Sequence, residues 1–393
     1  MQRLLEGVTV LEVANVITGP LAGNLLADLG ADVIKVEAPP HGDSMRVWEG
    51  TDAGVRPTFA AFNRGKRSIG LDIRQDVGRD VFLRMVGRAD AVIENFRPGS
   101  MDRRDMGWER LRAANPRLVY CHITGMGYVG PEADRPTFDA VAQALSGLWS
   151  QFGDLDDPVP VGPAMADQLT GIYAALAVLA GLQHVATTGE GVRLEVNMLA
   201  ACLAFQAPAV ATVLNGGRSP DKASRAPFSQ AYGVVCSDGL PLAIHLSTPQ
   251  KFWEGLCRTV DRPDLVAEPR FRTKAERIRN YGELAEILKD AFAARPRSEW
   301  LSMLQANGVP CAPILTLAEA LQHPQTQALR IIDVDANDPR QRGLVRSPVA
   351  VEGRHFSSEQ PAPRFGEHTD AILDELGVPR ELRSQLLTEG TIG

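Results

Sequence analysis

Four stretches of this chain combine residue types that can do chemistry. Asp167 precedes the uncharged run Gln168-Leu-Thr-Gly-Ile-Tyr-Ala-Ala-Leu. A carboxylate there can cap a helix, and the helix N-terminus favours its ionised form. The same group is a nucleophile if an activated acyl group is placed against it, and two oxygens allow both roles. The loop Val16-Ile-Thr-Gly-Pro-Leu-Ala-Gly23 opens a helix signal, so its backbone amides suit a phosphate or carboxylate. The cluster Asn63-Arg-Gly-Lys-Arg-Ser68 is either an exposed basic loop or a phosphate site. The segment Glu94-Asn-Phe-Arg-Pro-Gly99 joins an amide, a ring and a guanidinium. It is either a structured turn or a surface for a nucleobase or a pantetheine chain.

Other chemistries are unsupported. The first loop lacks G-x-G-x-x-G, which argues against dinucleotide binding although Glu37 ends the second strand signal. There is no G-x-S-x-G and no Walker A motif. The 7 histidines show no metal-ligand spacing. The 5 cysteines form no C-x-x-C, so a reducing, cytoplasmic compartment is expected. Glu6 interrupts the start where an export signal needs an apolar run. A net charge of −7 disfavours a nucleic-acid partner. The segments 168–189 and 196–217 lack charged residues but carry polar interruptions, and they read as buried helical core rather than membrane spans.

The elements that must position these residues alternate. Strand signals at 9–13, 32–37, 68–73, 91–94 and 118–123 are separated by helix signals at 21–29, 76–88 and 108–114. That order predicts an α/β fold with a parallel sheet covered by helices. Ligands in such sheets bind beyond the carboxyl ends of strands, so loops 14–19, 38–46, 94–99 and 124–131 are the expected site walls. Residues 140–150 and 167–215 read as helical, and 216–227 as a turn-rich linker. A hairpin is expected around Ser237-Asp238-Gly239. Helices follow at 250–260, 282–294 and 297–307, then short strands and loops from 310, and helix at 367–388.

These segments resemble the class III CoA-transferase family (CaiB/BaiF, formyl-CoA transferase-like) in order along nearly the whole chain. The resemblance rests on LLEGVTVLEVANVITGPLAGNLLADLGADVIKVEAPPHGDSMR, FAAFNRGKRSIGLDIR, ADAVIENFRPGSM, NPRLVYCHITGMGYVGP, DRPTFDAVAQALSGL and VGPAMADQLTGIYAA. TGEGVRLEVNML, PRFRTKAER, GVPCAPI and FGEHTDAILDELG continue the series. It implies a Rossmann-like large domain from residues 1–215 and 325–393, a smaller α+β domain at 228–310, linkers at 216–227 and 311–324, and an interlocked homodimer.

The resemblance also implies chemistry. Asp167 matches the family's catalytic aspartate, which attacks an acyl-CoA to give an anhydride and then an aspartyl-CoA thioester. CoA contacts are expected from Val16, Ile17, Thr18, Leu71, Asp72, Ile73, Arg74, Asn95, Phe96, Arg97 and Phe138, with Arg103 or Arg104 on the phosphates. Ala38 stands where oxalate-type members carry an arginine. Coenzyme A or acyl-CoA is then a substrate rather than a tightly bound cofactor, its partner is a small carboxylic acid, and succinyl-CoA is a candidate donor. An α-methylacyl-CoA racemase-like isomerase is the alternative. Its histidine is replaced by Phe138, which cannot move a proton. The absence of a glycine run between Tyr232 and Leu246 argues against formyl-CoA:oxalate exchange.

Overall fold

A computed structural model describes residues 3–48, 57–333, 343–356, 358 and 360–393. They fall into two units. One comprises Met1–Trp149, Pro160–Val210 and Arg330–Gly393, the other Ser150–Val159 and Ala211–Leu329.

In the first unit, strands and helices follow as β1 (Thr9–Val13), α1 (Thr18–Asp28), β2 (Asp32–Glu37), α2 (Pro57–Asn63), β3 (Arg67–Gly70) and α3 (Asp76–Val86). Next come β4 (Ala91–Glu94), α4 (Trp108–Ala114), β5 (Val119–Thr124), α5 (Asp139–Leu145), α6 (Met165–Thr188), β6 (Val192–Asn197) and α7 (Met198–Phe205). The six strands are parallel in the order β3-β2-β1-β4-β5-β6. That is the doubly wound order whose direction reverses between β1 and β4. Both faces are covered, so the strands are apolar on both sides. Val10, Val33, Ile93 and Val119 pack under Leu26 of α1 and Ala174 and Val178 of α6. Leu11, Ile34 and Val92 pack with Phe82 and Val86 of α3 and with Ile372 and Leu386 of two later helices.

Three boundaries differ from expectation. α1 begins at Thr18 rather than 21, because Pro20 sits in its first turn, where its missing N–H has no partner to lose. β3 stops at Gly70, and Leu71 instead bridges to Ile392. The outer edge of β3 itself is covered by bonds from His368 N to Ser68 O at 2.9 Å and from Gly393 N to Gly70 O at 3.1 Å. β6 lies inside the region read as continuous helix. α6 has the length and apolarity of a membrane span, yet Thr170, Ala174 and Val178 are fully buried in this unit.

Charge is also buried here. Glu12 on β1 accepts from Lys35 Nζ at 2.8 Å and from Lys66 Nζ at 2.6 Å, and all three side chains are 0% exposed. Burial pulls Lys66 down to about 8, against the opposing pull of Glu12. Removing Glu12 leaves the buried Lys66 ammonium without a carboxylate, while Lys35 keeps Asp43 at 2.9 Å, so Glu12→Ala should lose about 3–5 kcal/mol of stability. Urea unfolding checks this, and a loss near zero would show that the network contributes little.

The second unit holds an antiparallel sheet of β7 (Ala231–Val235), β8 (Pro241–His245) and β9 (Cys311–Pro313). The expected hairpin turn joins the first two strands. Helices Gln250–Thr259, Tyr281–Phe292 and Arg297–Ala306 contribute Trp253, Leu256, Leu288, Phe292 and Trp300 to the core of this unit. The loops expected after 310 contain two further short helices, Leu317–Gln322 and Pro324–Leu329.

Candidate functional site

The reversal in strand order leaves a gap between the loops that leave β1 and β4. A cavity of about 250 Å³ opens there, inside the first unit. Its walls include Val16, Ile17 and Thr18 after β1, Asn95, Phe96 and Arg97 after β4, Thr124 at the end of β5 with Gly125 after it, and Phe138 before α5. Asp167 and Met198, in the first turns of α6 and α7, also line it.

Asp167 reaches the cavity because α1 and α6 approach closely. A β-carbon on Gly171 would lie 2.8 Å from Thr18 O and 2.9 Å from Leu21 Cβ, so a larger residue would push the helices apart. Asp167 is not the cap of α6. It is the third helical residue, after the cap position Ala164. Asp139 does the capping from α5: its Oδ1 accepts from the amides of Ala166 at 2.8 Å and Asp167 at 3.3 Å. Gln143 Nε2 donates to Asp139 Oδ2 at 2.6 Å and steadies it. The Asp167 carboxylate itself has no hydrogen-bond partner among the described residues.

This arrangement reverses the expected electrostatics. Proximity to a helix N-terminus favours ionisation, but Asp139 already occupies the first amides. Burial raises the Asp167 carboxyl, the negative Asp139 raises it further, and it reaches about 7. The result is a partly desolvated carboxylate with uncommitted lone pairs, as a nucleophile requires.

Asn95 lines the cavity, but its side chain holds protein. It accepts from Asn15 N at 3.0 Å and donates to Asn15 O at 2.8 Å and Thr18 Oγ1 at 3.1 Å. It thereby locks the β1 loop to the β4 loop. Behind it, Glu94 accepts from Phe96 N at 2.8 Å and Tyr120 Oη at 2.7 Å and contacts His122 Nδ1. Arg97 is exposed and makes no ion pair among the described residues.

The remaining expected contacts do not line this cavity. Leu71 and Ile73 are buried in the core beneath α3. Arg74 pairs with Asp72 through Nε at 2.7 Å and Nη2 at 2.8 Å. Arg103 and Arg104 turn back to Ser100, to its Oγ at 3.1 Å and its carbonyl at 2.8 Å. Asp139, Asn15, Arg135 and Met198 belong to the site without having been singled out. Asp139 was visible only as a neighbour of Phe138, since a cap donated from another helix leaves no local sequence signal.

The CoA-transferase family III model matches residues 5–369. The chain is 35% identical to a succinate–glutarate CoA-transferase of Agrobacterium fabrum, covering 95% of each. It is 33% identical to an acetyl-CoA:oxalate CoA-transferase of Acetobacter aceti, covering 95% of this chain and 96% of that one. The crystal structure of a CAIB/BAIF family protein from Brucella suis matches with a TM-score of 0.82 at 34% identity, covering 95% and 99%.

Proposed function

The chain belongs to CoA-transferase family III, an enzyme transferring CoA between acyl-CoA and carboxylic acids, and from that premise we propose that Asp167 carries the transfer covalently. The observation behind this is the partly buried, unpartnered Asp167 carboxylate in the wall of the switch-point cavity.

An Asp167 oxygen attacks the thioester carbonyl. The C–S bond breaks, the thiolate leaves with the electron pair, and a mixed anhydride remains. The thiolate then attacks the aspartyl carbonyl and releases the donor acid, leaving an aspartyl-CoA thioester. The acceptor carboxylate attacks that thioester, and the same two steps run in reverse. No net proton is consumed, and the ionised form of Asp167 starts and ends the cycle. Splitting the exchange this way replaces one difficult step by easier ones. The first-turn amides of α1 beside Ile17 and Thr18 carry partial positive charge toward oxyanions that form in the cavity.

A cavity of about 250 Å³ suits the reacting end of the substrates rather than all of CoA. In this reading the rest of CoA runs outward along the carboxyl ends of the strands, toward Asp72 and Arg74 after β3 and Arg103 and Arg104 after β4. CoA is then a substrate, and the chemistry needs no resident cofactor. The relative named for succinate and glutarate supports succinyl-CoA as donor and a dicarboxylic acceptor, and the relative named for acetyl-CoA and oxalate supports the dicarboxylic acceptor alone. The Arg97 cation at the cavity wall suits a second carboxylate, whereas Arg135 is paired with Glu132 at 3.0 Å. Exposed Ile172 and Leu176 on the outer face of α6, with Leu203 and Phe205 on α7, support a homodimer. The five free cysteines fit a cytoplasmic setting.

The test is mass spectrometry of enzyme quenched during turnover of an acyl-CoA panel with dicarboxylic and monocarboxylic acids. A CoA adduct on the peptide containing Asp167 is expected. Steady transfer with no adduct would overturn the covalent route. Deuterium entering the α-carbon without a second acid would move the assignment to an isomerase.

A further inference from the structure

We infer that Asp43 is a positioning residue whose buried carboxylate holds Val16 in a left-handed backbone conformation and so fixes the cavity wall. Val16 has φ +68°. A β-branched residue is a genuine outlier there, and such strain persists only where the surroundings over-determine it.

They do so here. The Val16 amide donates to Asp43 Oδ1 and Oδ2 at 3.3 and 3.2 Å. Asp43 is 1% exposed, and its Oδ2 lies 2.9 Å from Lys35 Nζ. The same ammonium donates to Ala14 O at 2.8 Å, two residues before Val16. Lys66 Nζ holds the far end of the loop through Pro20 O at 2.9 Å. Asp43 is itself fixed: its amide donates to Glu37 Oε2 at 3.0 Å, and its Oδ1 accepts from Met45 N at 3.0 Å. Burial works to raise the Asp43 carboxyl, but Lys35 and the amides of Met45 and Val16 outweigh it and keep it ionised.

The consequence reaches Asp167. Ile17 packs in a cluster with Met45 and Phe59, and Val16 and Ala164 pack against that cluster. Ala164 is the cap position of α6, three residues before Asp167. A loop held at Val16 therefore braces both the cavity wall and the start of the helix that presents the carboxylate. Asp43 is not itself among the lining residues and acts through the wall residue Val16, with Met45 behind it.

The experiment is a double-mutant cycle of Asp43→Asn and Val16→Gly. It is read by kcat with the donor and acid that wild type turns over fastest, and by calorimetric titration with coenzyme A. Asp43→Asn keeps the shape but loses the charge that holds the amide, and should lower kcat about 100-fold through misplacement. Glycine adopts positive φ without strain, so Val16→Gly supplies a background in which Asp43 has no strained backbone to hold, whatever the lining side chain itself contributes. In the Val16→Gly background, Asp43→Asn should add little, and coenzyme A affinity should show the same non-additivity. If Asp43→Asn fails to fold, Asp43→Glu keeps the charge, displaces the oxygens and completes the same cycle. Equal losses from the Asp43 change in both backgrounds would overturn the proposal. A merely structural Asp43 would lower stability without this coupling.

Discussion

Asp167→Ala is expected to lower CoA transfer by roughly 10⁴-fold or more while coenzyme A still binds. The expectation follows from where the carboxylate stands. It bonds to no described residue, so its loss removes the reacting atoms without unpairing a partner. The cap of α6 survives, because Asp139 rather than Asp167 supplies it. The loops that line the cavity also survive, because Asn95 and Asp43 hold them. Transfer assayed by chromatography and binding by calorimetry check the two halves. Activity within tenfold of wild type would remove Asp167 from the mechanism.

Turnover should rise with pH between 5 and 8. The nucleophile is the ionised carboxylate, and its midpoint is raised by burial and by Asp139 to about 7. At pH 5, two units below that midpoint, about 1% is ionised, so kcat/KM should be roughly 100-fold below its plateau. Asp139→Asn removes the opposing charge and should move the midpoint to lower pH. A profile flat down to pH 5 would contradict the assignment. Stability runs the other way. The folded midpoint of Asp167 lies above its ordinary value of 3.8, so between those limits the folded protein binds more protons than the unfolded chain. This group therefore costs stability as pH rises through that window. Asp167→Ala lacks that cost and should melt at a higher temperature than wild type at pH 8, with the difference shrinking toward pH 4.

Much of the first unit could be read from its sequence because its strands are short apolar runs ended by punctuation. Gly30, Asp90 and Pro116 mark the turns before β2, β4 and β5. β6 escaped because it sits between two Ala-rich helices, although Val192, Leu194 and Val196 alternate with Arg193, Glu195 and Asn197 at the period of a strand. At the site, the loops after β1, β4 and β5 were legible because parallel topology dictates where they lie, whereas the expected wall at 38–46 does not line the cavity and residues 133–138 do. What each side chain does there was not. Asn95 bonds the neighbouring loop, Leu71 enters the core, and Arg74 closes on Asp72. Long-range partners decide such roles, and spacing along the chain does not encode them. The burial of Glu12, Lys35, Asp43 and Lys66 is not encoded locally, since nothing nearby in sequence distinguishes a buried lysine from an exposed one.

The cover over the outer edge of β3 has a kinetic consequence. Its bond from Ser68 N to His368 Nδ1 joins residues 300 positions apart. While the chain is being synthesised, β3 is therefore exposed long before its cover exists, and the entire second unit emerges in between. An uncovered edge is a template for pairing with another chain, and late non-local contacts slow folding. The nascent protein should thus pass through a long interval in which chaperone protection of this edge, rather than its own sequence, keeps it from associating.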